Sequence, residues 1–210
     1  MRRFDRVPSV ATVSICCYFS SRTSHKECVP IEPLTSAATP STPFAGLTEL
    51  GDNPSEGPLT PSFLVDADRV VELLRVGVAS EHMSWLAYTA HAAAMDSLRA
   101  RPVAADFREH AEQELGHMRK LMGRMQQLGA EIVLDPMQLA KRSIHPHAVP
   151  GTLEDMVGYH LQAERRAVEF YRDAVQWLGD RDPTTRRLME DVLAVEEQHA
   201  RDLQDFADHA

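Results

Sequence analysis

Two short stretches decide the fold: Glu114-Leu115-Gly116-His117 and Glu196-Glu197-Gln198-His199. Each has the pattern Glu-x-x-His. Residues three apart lie on the same face of an α-helix, so each stretch directs a carboxylate and an imidazole toward one point. Such a pair can provide one side of a metal site. Alone, the pattern is a weak indication, because Glu and His fall three apart on many solvated helices.

A lone glutamate precedes each motif on a periodic apolar stripe. Glu81 lies 33 residues before Glu114, and Glu164 lies 32 residues before Glu196. The order Glu, Glu-x-x-His, Glu, Glu-x-x-His is what a carboxylate-bridged two-metal site in a four-helix bundle requires. The predicted metal ligands, which we also expect to be the catalytic residues, are Glu81, Glu114, His117, Glu164, Glu196 and His199.

The spacing of apolar residues predicts four amphipathic helices and an all-α fold. In the first helix the apolar positions and Glu81 recur at alternating steps of three and four, which favours the near-parallel packing of a bundle. Cap residues and turn glycines give the boundaries. The expected helices run from Asp66 to about residue 101, from Pro102 to Leu128, from Thr152 to Leu178 and from Asp182 to Phe206.

The connections indicate how these helices are arranged. Residues equally far from a tight turn face each other in an antiparallel hairpin, so Glu81 should face Glu114 and Glu164 should face Glu196. The link over 130–151 is far longer than a helical hairpin needs. It can cross the length of the bundle, with a short helical piece over Met137–Ser143, so that the second and third helices run parallel.

The metal site is also required by charge. Four carboxylates on buried helix faces repel one another and are costly to desolvate, and no basic residue shares those faces at that level. Two divalent cations would offset them. Carboxylate and imidazole ligands without thiolate suit iron, manganese or zinc, and iron is the redox-active choice. We therefore expect two iron ions per chain.

Composition separates the chain into two regions. Residues 1–62 are rich in Ser, Thr and Pro without helical period, which predicts a disordered N-terminal segment; a leader or a start placed too far upstream are the alternatives. Residues 63–210 form the predicted domain and contain none of the three cysteines. The net charge of −9 argues against nucleic acid as a partner, and no run is long and apolar enough for a membrane span. A cytoplasmic location is expected.

Several other side chains are candidates for supporting roles. Tyr88, two turns beyond Glu81, can lend a hydrogen bond or an electron, or be a core aromatic. His110 is expected to be a core histidine, and His160 either a neighbour of the site or exposed. Two loop histidines are expected to be exposed, with a metal at a subunit junction as the alternative; they are His145 and His147. Four acidic residues are expected on solvated faces: Glu109, Glu112, Glu169 and Glu197.

The six-residue constellation resembles that of the ferritin superfamily, and of bacterioferritin most closely. The resemblance covers about residues 64–210. It implies that Glu114 and Glu196 bridge two metals while Glu81 and Glu164 each bind one. It also implies a ferroxidase that oxidises Fe²⁺ with O₂ or H₂O₂ and stores ferric iron in an oligomeric shell, in iron homeostasis and protection from oxidative stress.

Three departures modify that expectation. Leu115 replaces the methionine that ligates haem in bacterioferritins, so haem is not expected, and Gln113 replaces an acidic residue that serves an inner-surface iron. Eleven residues after His199 leave no room for the fifth helix of a 24-chain shell. In this respect the chain resembles the Dps-type mini-ferritins, and we expect a homo-oligomer of twelve chains rather than twenty-four.

Two alternatives stay open. One is a non-storing di-iron peroxidase or oxidase of the rubrerythrin type, although that family usually carries a Cys-x-x-Cys domain, which is absent here. The other is a DNA-protecting mini-ferritin. Particle size separates the first alternative from a storage shell, and salt-sensitive retention on DNA identifies the second.

Overall fold

The computed structural model describes residues 59–60, 63–95, 97–98, 100–145 and 151–209. These residues form five α-helices and no strand, which confirms the predicted all-α class. The predicted disordered segment, 1–62, lies outside the described residues apart from residues 59 and 60. The helices are α1 (Ala67–Ala94), α2 (Arg101–Gln127), α3 (Pro136–Arg142), α4 (Leu153–Leu178) and α5 (Pro183–His209).

Side-chain caps fix the beginnings of three long helices where the sequence predicts them. The Asp66 carboxylate accepts from the Asp68 amide at 3.0 Å and begins α1. Thr152 and Asp155 form a reciprocal capping box on α4, with bonds of 3.1 and 3.0 Å. Asp182 accepts from the Thr185 amide at 2.9 Å and begins α5. Each cap satisfies backbone N–H groups that have no partner within the helix.

Two antiparallel hairpins build the bundle. The first consists of α1 and α2, and the second of α4 and α5, which are joined by a tight turn at Gly179, where φ is +51°. The hairpins are themselves related by crossed contacts, because Tyr88 of α1 donates to Glu164 of α4 while Tyr171 of α4 donates to Glu81 of α1. This crossing places α1 antiparallel to α4, and hence α2 parallel to α4, as the long link predicts.

The crossover between the hairpins is anchored on α1. It contains α3, whose Leu139 is buried against the core. Beyond α3, the Ile144 amide donates to the Ser80 hydroxyl at 3.2 Å, and that hydroxyl donates to the Val76 carbonyl at 2.8 Å. These bonds hold the chain beside the turn of α1 that precedes Glu81.

The apolar core consists of two clusters with a polar layer between them. One cluster lies toward the α2–α3 link and includes Leu74, Leu121 and Leu178. The other lies toward the α1–α2 turn and includes Phe107, Leu161 and Leu203. The predicted ligand positions fall between these clusters along every long helix. None of the described helices combines the length and apolar composition of a membrane span.

A buried ion pair joins the two hairpins at one end of the core. The Arg124 guanidinium reaches both Asp182 carboxylate oxygens at 3.1 Å, and its Nε donates to the Thr185 hydroxyl at 2.8 Å. Because Asp182 is also the cap of α5, the end of α2 and the start of α5 are fixed together.

Candidate metal centre

The structure brings all six predicted ligand side chains together in the middle of the bundle. Each is at most 2% exposed. They come from the four long helices, one glutamate each from α1 and α4 and one Glu-x-x-His pair each from α2 and α5. Helical periodicity explains the convergence, since Glu and His three apart share the inward face. The residues are Glu81, Glu114, His117, Glu164, Glu196 and His199.

The six residues form two overlapping sets of four. In each set, one ligand atom from every residue lies within 4.8 Å of the others. The first set consists of Glu81, Glu114, His117 and Glu196, and the second of Glu114, Glu164, Glu196 and His199. Glu114 and Glu196 belong to both sets, whereas every other member belongs to one. Such an arrangement can hold two cations that share two carboxylates.

Both imidazoles direct Nδ1 toward these carboxylates. Nδ1 of His117 lies 2.9 Å from Glu196 Oε1 and 3.3 Å from Glu81 Oε2. Nδ1 of His199 lies 3.3 Å from Glu114 Oε1 and 3.3 Å from Glu196 Oε2. Each shared carboxylate therefore meets an imidazole of the other hairpin.

Protons partly offset the negative charge while the site is free of metal. Burial raises the pKa of Glu114 well above its ordinary value, and the carboxylates of Glu196 and Glu81 raise it further. Burial and Glu196 likewise raise the pKa of Glu164. Burial alone would also raise the pKa of Glu196, but hydrogen bonds from the two imidazoles hold it below its ordinary value.

The two imidazoles also supply positive charge, so metal ions are not the only groups that offset the four carboxylates. Burial lowers the pKa of His117, but hydrogen bonds to Glu114, Glu196 and Glu81 outweigh burial and raise it to about 11. The pKa of His199 is raised in the same way, chiefly by Glu196 against the effect of burial. A metal must displace these protons, so its affinity falls as the pH falls.

The donor atoms fit a pair of iron ions. Five buried atoms of the site make no hydrogen bond of good geometry among the described residues, although they lie close to one another; they are Glu114 Oε1, Glu164 Oε2, both carboxylate oxygens of Glu196 and His199 Nδ1. Buried polar atoms are normally satisfied, and a ligand is one explanation for a cluster of exceptions. Carboxylate oxygen and imidazole nitrogen suit iron, manganese or zinc.

Two buried tyrosines hold the carboxylates that belong to a single set. Tyr88 donates to Glu164 and Tyr171 donates to Glu81, each across the α1–α4 contact. Burial raises the pKa of both phenols well above 10, and the neighbouring carboxylates add to the shift, so both remain donors at neutral pH. Gly77 packs beside this contact: a Cβ there would lie 3.1 Å from Leu121 Cδ1, a tight approach, and 3.4 Å from the Tyr171 hydroxyl, an ordinary one.

Two histidines lie on one side of Tyr88. The His160 ring stacks on Tyr88, with centroids 3.7 Å apart and planes 6° from parallel. Its Nε2 lies 2.8 Å from Nδ1 of His91. Burial lowers the pKa of His160 well below its ordinary value and that of His91 more modestly. Of the two readings open for His160, the neighbour of the site is therefore the one the structure supports.

The prediction for the loop histidines is wrong at His145. This side chain is 6% exposed, and its Nδ1 has no hydrogen-bond partner among the described residues. The bond from the Ile144 amide to Ser80 draws the crossover onto α1, and this contact, which apolar periodicity does not reveal, buries His145. Burial lowers its pKa to about 4. His147 lies outside the described residues.

The bundle and its buried carboxylates agree with the result of comparison with known families. Residues 71–210 match the family described as Ferritin-like domain. The chain belongs to the ferritin-like family. Its resemblance to bacterioferritin and to Dps proteins, expected from the six residues, is confirmed by the relatives and solved structures that it matches.

Sequence identity, coverage and TM-score measure the similarity to individual relatives and solved structures. The chain is 27% identical over 142 residues to a DNA protection during starvation protein of Pyrococcus furiosus, covering 64% of this chain and 75% of that protein. The dodecameric thioferritin of Bacteroides fragilis has a TM-score of 0.66 and 24% identity, over 70% of this chain and 88% of that one. Rhodobacter capsulatus bacterioferritin gives 0.60 and 21%, over 67% and 84%. At these identities the solved structures show the fold alone.

Two neighbours of the site were missed in the sequence. Tyr171, which the sequence analysis does not single out, follows Glu164 by seven residues just as Tyr88 follows Glu81. That repeat would have revealed it. Gln113 was read as a departure from bacterioferritin, but its Oε1 lies 2.6 Å from Nε2 of His199. No pattern within a single helix indicates this contact between helices.

Proposed function

We propose that this protein is a ferroxidase that oxidises Fe²⁺ with O₂ or H₂O₂ at a two-iron centre and stores ferric iron in a homo-oligomeric shell. One observation carries the proposal: two buried sets of four ligands share Glu114 and Glu196. The wider role would be iron homeostasis and protection from oxidative stress.

We assign Glu114 and Glu196 as the shared ligands of both ions. Glu81 with His117 would complete one site, and Glu164 with His199 would complete the other. Fe²⁺ ions held by these residues would supply the electrons that reduce the oxidant.

The protein supplies geometry, charge and exclusion of water. The two shared carboxylates would keep the ions close, and Tyr88 and Tyr171 restrain the single-site carboxylates by hydrogen bonds. The apolar clusters above and below the polar layer strengthen electrostatic attraction at the site. Both imidazoles must release a proton before Nδ1 can bind an ion.

Anaerobic titration with Fe²⁺ followed by exposure to O₂ or H₂O₂ tests the activity. We expect two tight Fe²⁺ sites per chain and rapid oxidation after the oxidant is added. Light scattering after repeated aerobic loading, with iron counted per chain, tests storage. Oxidation without accumulation of more than two irons per chain would favour the non-storing di-iron enzyme.

We also propose a shell of twelve chains. Support comes from the helix α3 in the crossover, which the Dps resemblance associates with subunit contacts, and from the fold shared with a dodecameric thioferritin. Native mass measurement decides the number, with a particle about twelve times the 23.5 kDa chain expected. A mass of twenty-four chains would overturn the dodecamer, and a stable monomer or dimer would overturn storage.

DNA protection is the second candidate, favoured by the name of the Pyrococcus furiosus relative. The net charge of −9 weighs against it, because DNA attracts basic surfaces. Gel-shift assays at low and physiological salt test it. Retention of DNA that weakens as salt rises would establish this role.

A further inference from the structure

The two histidines of the centre differ on the side that faces away from the carboxylates. Nε2 of His199 lies 2.6 Å from Gln113 Oε1. An amide oxygen can only accept, so Nε2 must donate. The bond therefore fixes the orientation of the ring, with its other nitrogen on the side of the carboxylates. Nδ1, which lies 3.3 Å from both shared carboxylates, then presents its lone pair to a metal.

His110 restrains the same imidazole through its face. The two rings are stacked, with centroids 4.1 Å apart and planes 24° from parallel. His110 is itself 4% exposed, so the core limits its movement. His199 is thus held along its edge by Gln113 and across its face by His110.

The second hairpin provides His117 with no equivalent restraint among the described residues. Its Nδ1 meets three carboxylates, but no side-chain hydrogen bond to its Nε2 matches that of Gln113. The sequence explains the difference. Gln113 directly precedes Glu114, whereas the residue that directly precedes Glu196 is Val195, whose side chain cannot accept a hydrogen bond.

We propose that Gln113 is a positioning residue that orients His199 and makes the Glu114–Glu164–Glu196–His199 site the tighter of the two, so that it fills first. This inference rests on the proposed two-metal function. Residues that orient a histidine ligand typically contribute 10–100-fold to metal affinity. The site that contains His117 is then the weaker one and controls when the pair is complete.

Calorimetric titration of the full-length protein with Zn²⁺, which is redox-inert, tests the proposal without relying on oxidation. Wild type should bind two ions in two steps. Gln113→Leu should weaken the tighter step about 10–100-fold and leave the other unchanged. Gln198→Leu is the matched control, because Gln198 adjoins His199 but is exposed and donates to Asp202. That variant should bind as wild type does.

Double variants identify the site affected. Gln113→Leu should weaken binding of the remaining ion in a His117→Ala background and have no effect in a His199→Ala background. Equal effects in both backgrounds would show a merely structural role and overturn the inference. Two Zn²⁺ ions bound identically by wild type and Gln113→Leu would overturn it while leaving the proposed function intact. Absence of two-ion binding in wild type would overturn both.

Discussion

The two hairpins carry the same ligand pattern in different surroundings. Each contributes a glutamate, a tyrosine seven residues later and a Glu-x-x-His pair. The hairpin of α4 and α5 turns tightly at Gly179, whereas the hairpin of α1 and α2 also supports the crossover through Ser80. Gln113 and His110 of the first hairpin restrain His199 of the second. Among the described residues, the second hairpin provides no matching hydrogen bond to Nε2 of His117. The two hairpins therefore contribute the same types of predicted ligand, but the side chains that restrain those ligands differ.

This difference separates two kinds of constraint. The ligands need only the correct residue type at helical spacing, and both hairpins satisfy that requirement. Their support depends on which side chain of a neighbouring helix lies behind each ligand. Symmetry should therefore appear in experiments on the predicted ligands and on the paired tyrosines, and fail in experiments on Gln113, which supports only one of the two histidines.

The largest expected effect comes from removing a ligand that both sites share. Glu114→Ala and Glu196→Ala should each slow Fe²⁺ oxidation by about 100-fold or more, because either change disables both sites. Stopped-flow absorbance measures the rate. The control is Glu109→Ala, an exposed residue on the same helix as Glu114, and it should oxidise iron at the wild-type rate. Equal rates in all three variants would refute the site.

Metal should stabilise the protein by joining the hairpins. Zn²⁺ at 100 times its dissociation constant should raise the free energy of unfolding by about 2.7 kcal/mol for each site. Thermal melting with and without Zn²⁺ at pH 7 measures this, and the gain should shrink toward pH 5, where protons compete for both imidazoles. If none of Fe²⁺, Mn²⁺ and Zn²⁺ changes the melting temperature, the six residues do not form a buried metal site.

Low pH should destabilise the protein through a buried histidine of the crossover that is not a predicted ligand. The pKa of buried His145 is about 4, below its ordinary value of 6.5, so the unfolded state takes up the proton first as the pH falls. The stability from keeping His145 neutral is present above pH 6.5 and is lost as the pH falls toward 4. The expected loss is about 2 kcal/mol between pH 7 and pH 5.

His145→Gln should remove that part of the acid sensitivity. Urea unfolding of both proteins at pH 7 and pH 5 measures the difference, with no metal present. The same loss of stability in wild type and variant would mean that His145 does not titrate in this window.

The tyrosines provide the test of symmetry itself. Tyr88→Phe and Tyr171→Phe each remove one hydrogen bond to a single-site carboxylate, and both should cost about 1–3 kcal/mol of stability in the metal-free protein. Oxidation should slow by a similar, modest factor in each. A much larger effect of Tyr88→Phe would show that its stacking on His160 adds a role that Tyr171 lacks.

The smallest effect is expected from removing the N-terminal segment. Deleting residues 1–58 should leave folding and oxidation unchanged, because no predicted ligand lies there. Deleting residues 1–60 should cost slightly more stability, since Leu59 packs against the core. Circular dichroism and oxidation rates compare the two. Insoluble protein after the shorter deletion would show that the segment contributes to the domain.

Periodicity and caps were sufficient to predict the fold and the level of the bundle at which the six predicted ligand side chains meet. Heptad spacing gave the inward faces, and Asp66, Thr152 and Asp182 gave the helix starts. What sequence reasoning missed are contacts between elements. The bond from Gln113 to His199 and the burial of His145 both depend on how a helix or link lies against its neighbour, which no spacing within one helix specifies.

The crossed tyrosines have a consequence for the chain as a whole. Tyr88 serves the glutamate of the other hairpin, and Tyr171 returns the contact, so the two halves meet about an approximate two-fold axis. Such an axis makes the halves interchangeable in principle. Two copies of a single hairpin would together present two glutamates, two tyrosines and two Glu-x-x-His pairs. A peptide spanning α1 and α2 thus contains every ligand type that a minimal, self-associating iron protein would need.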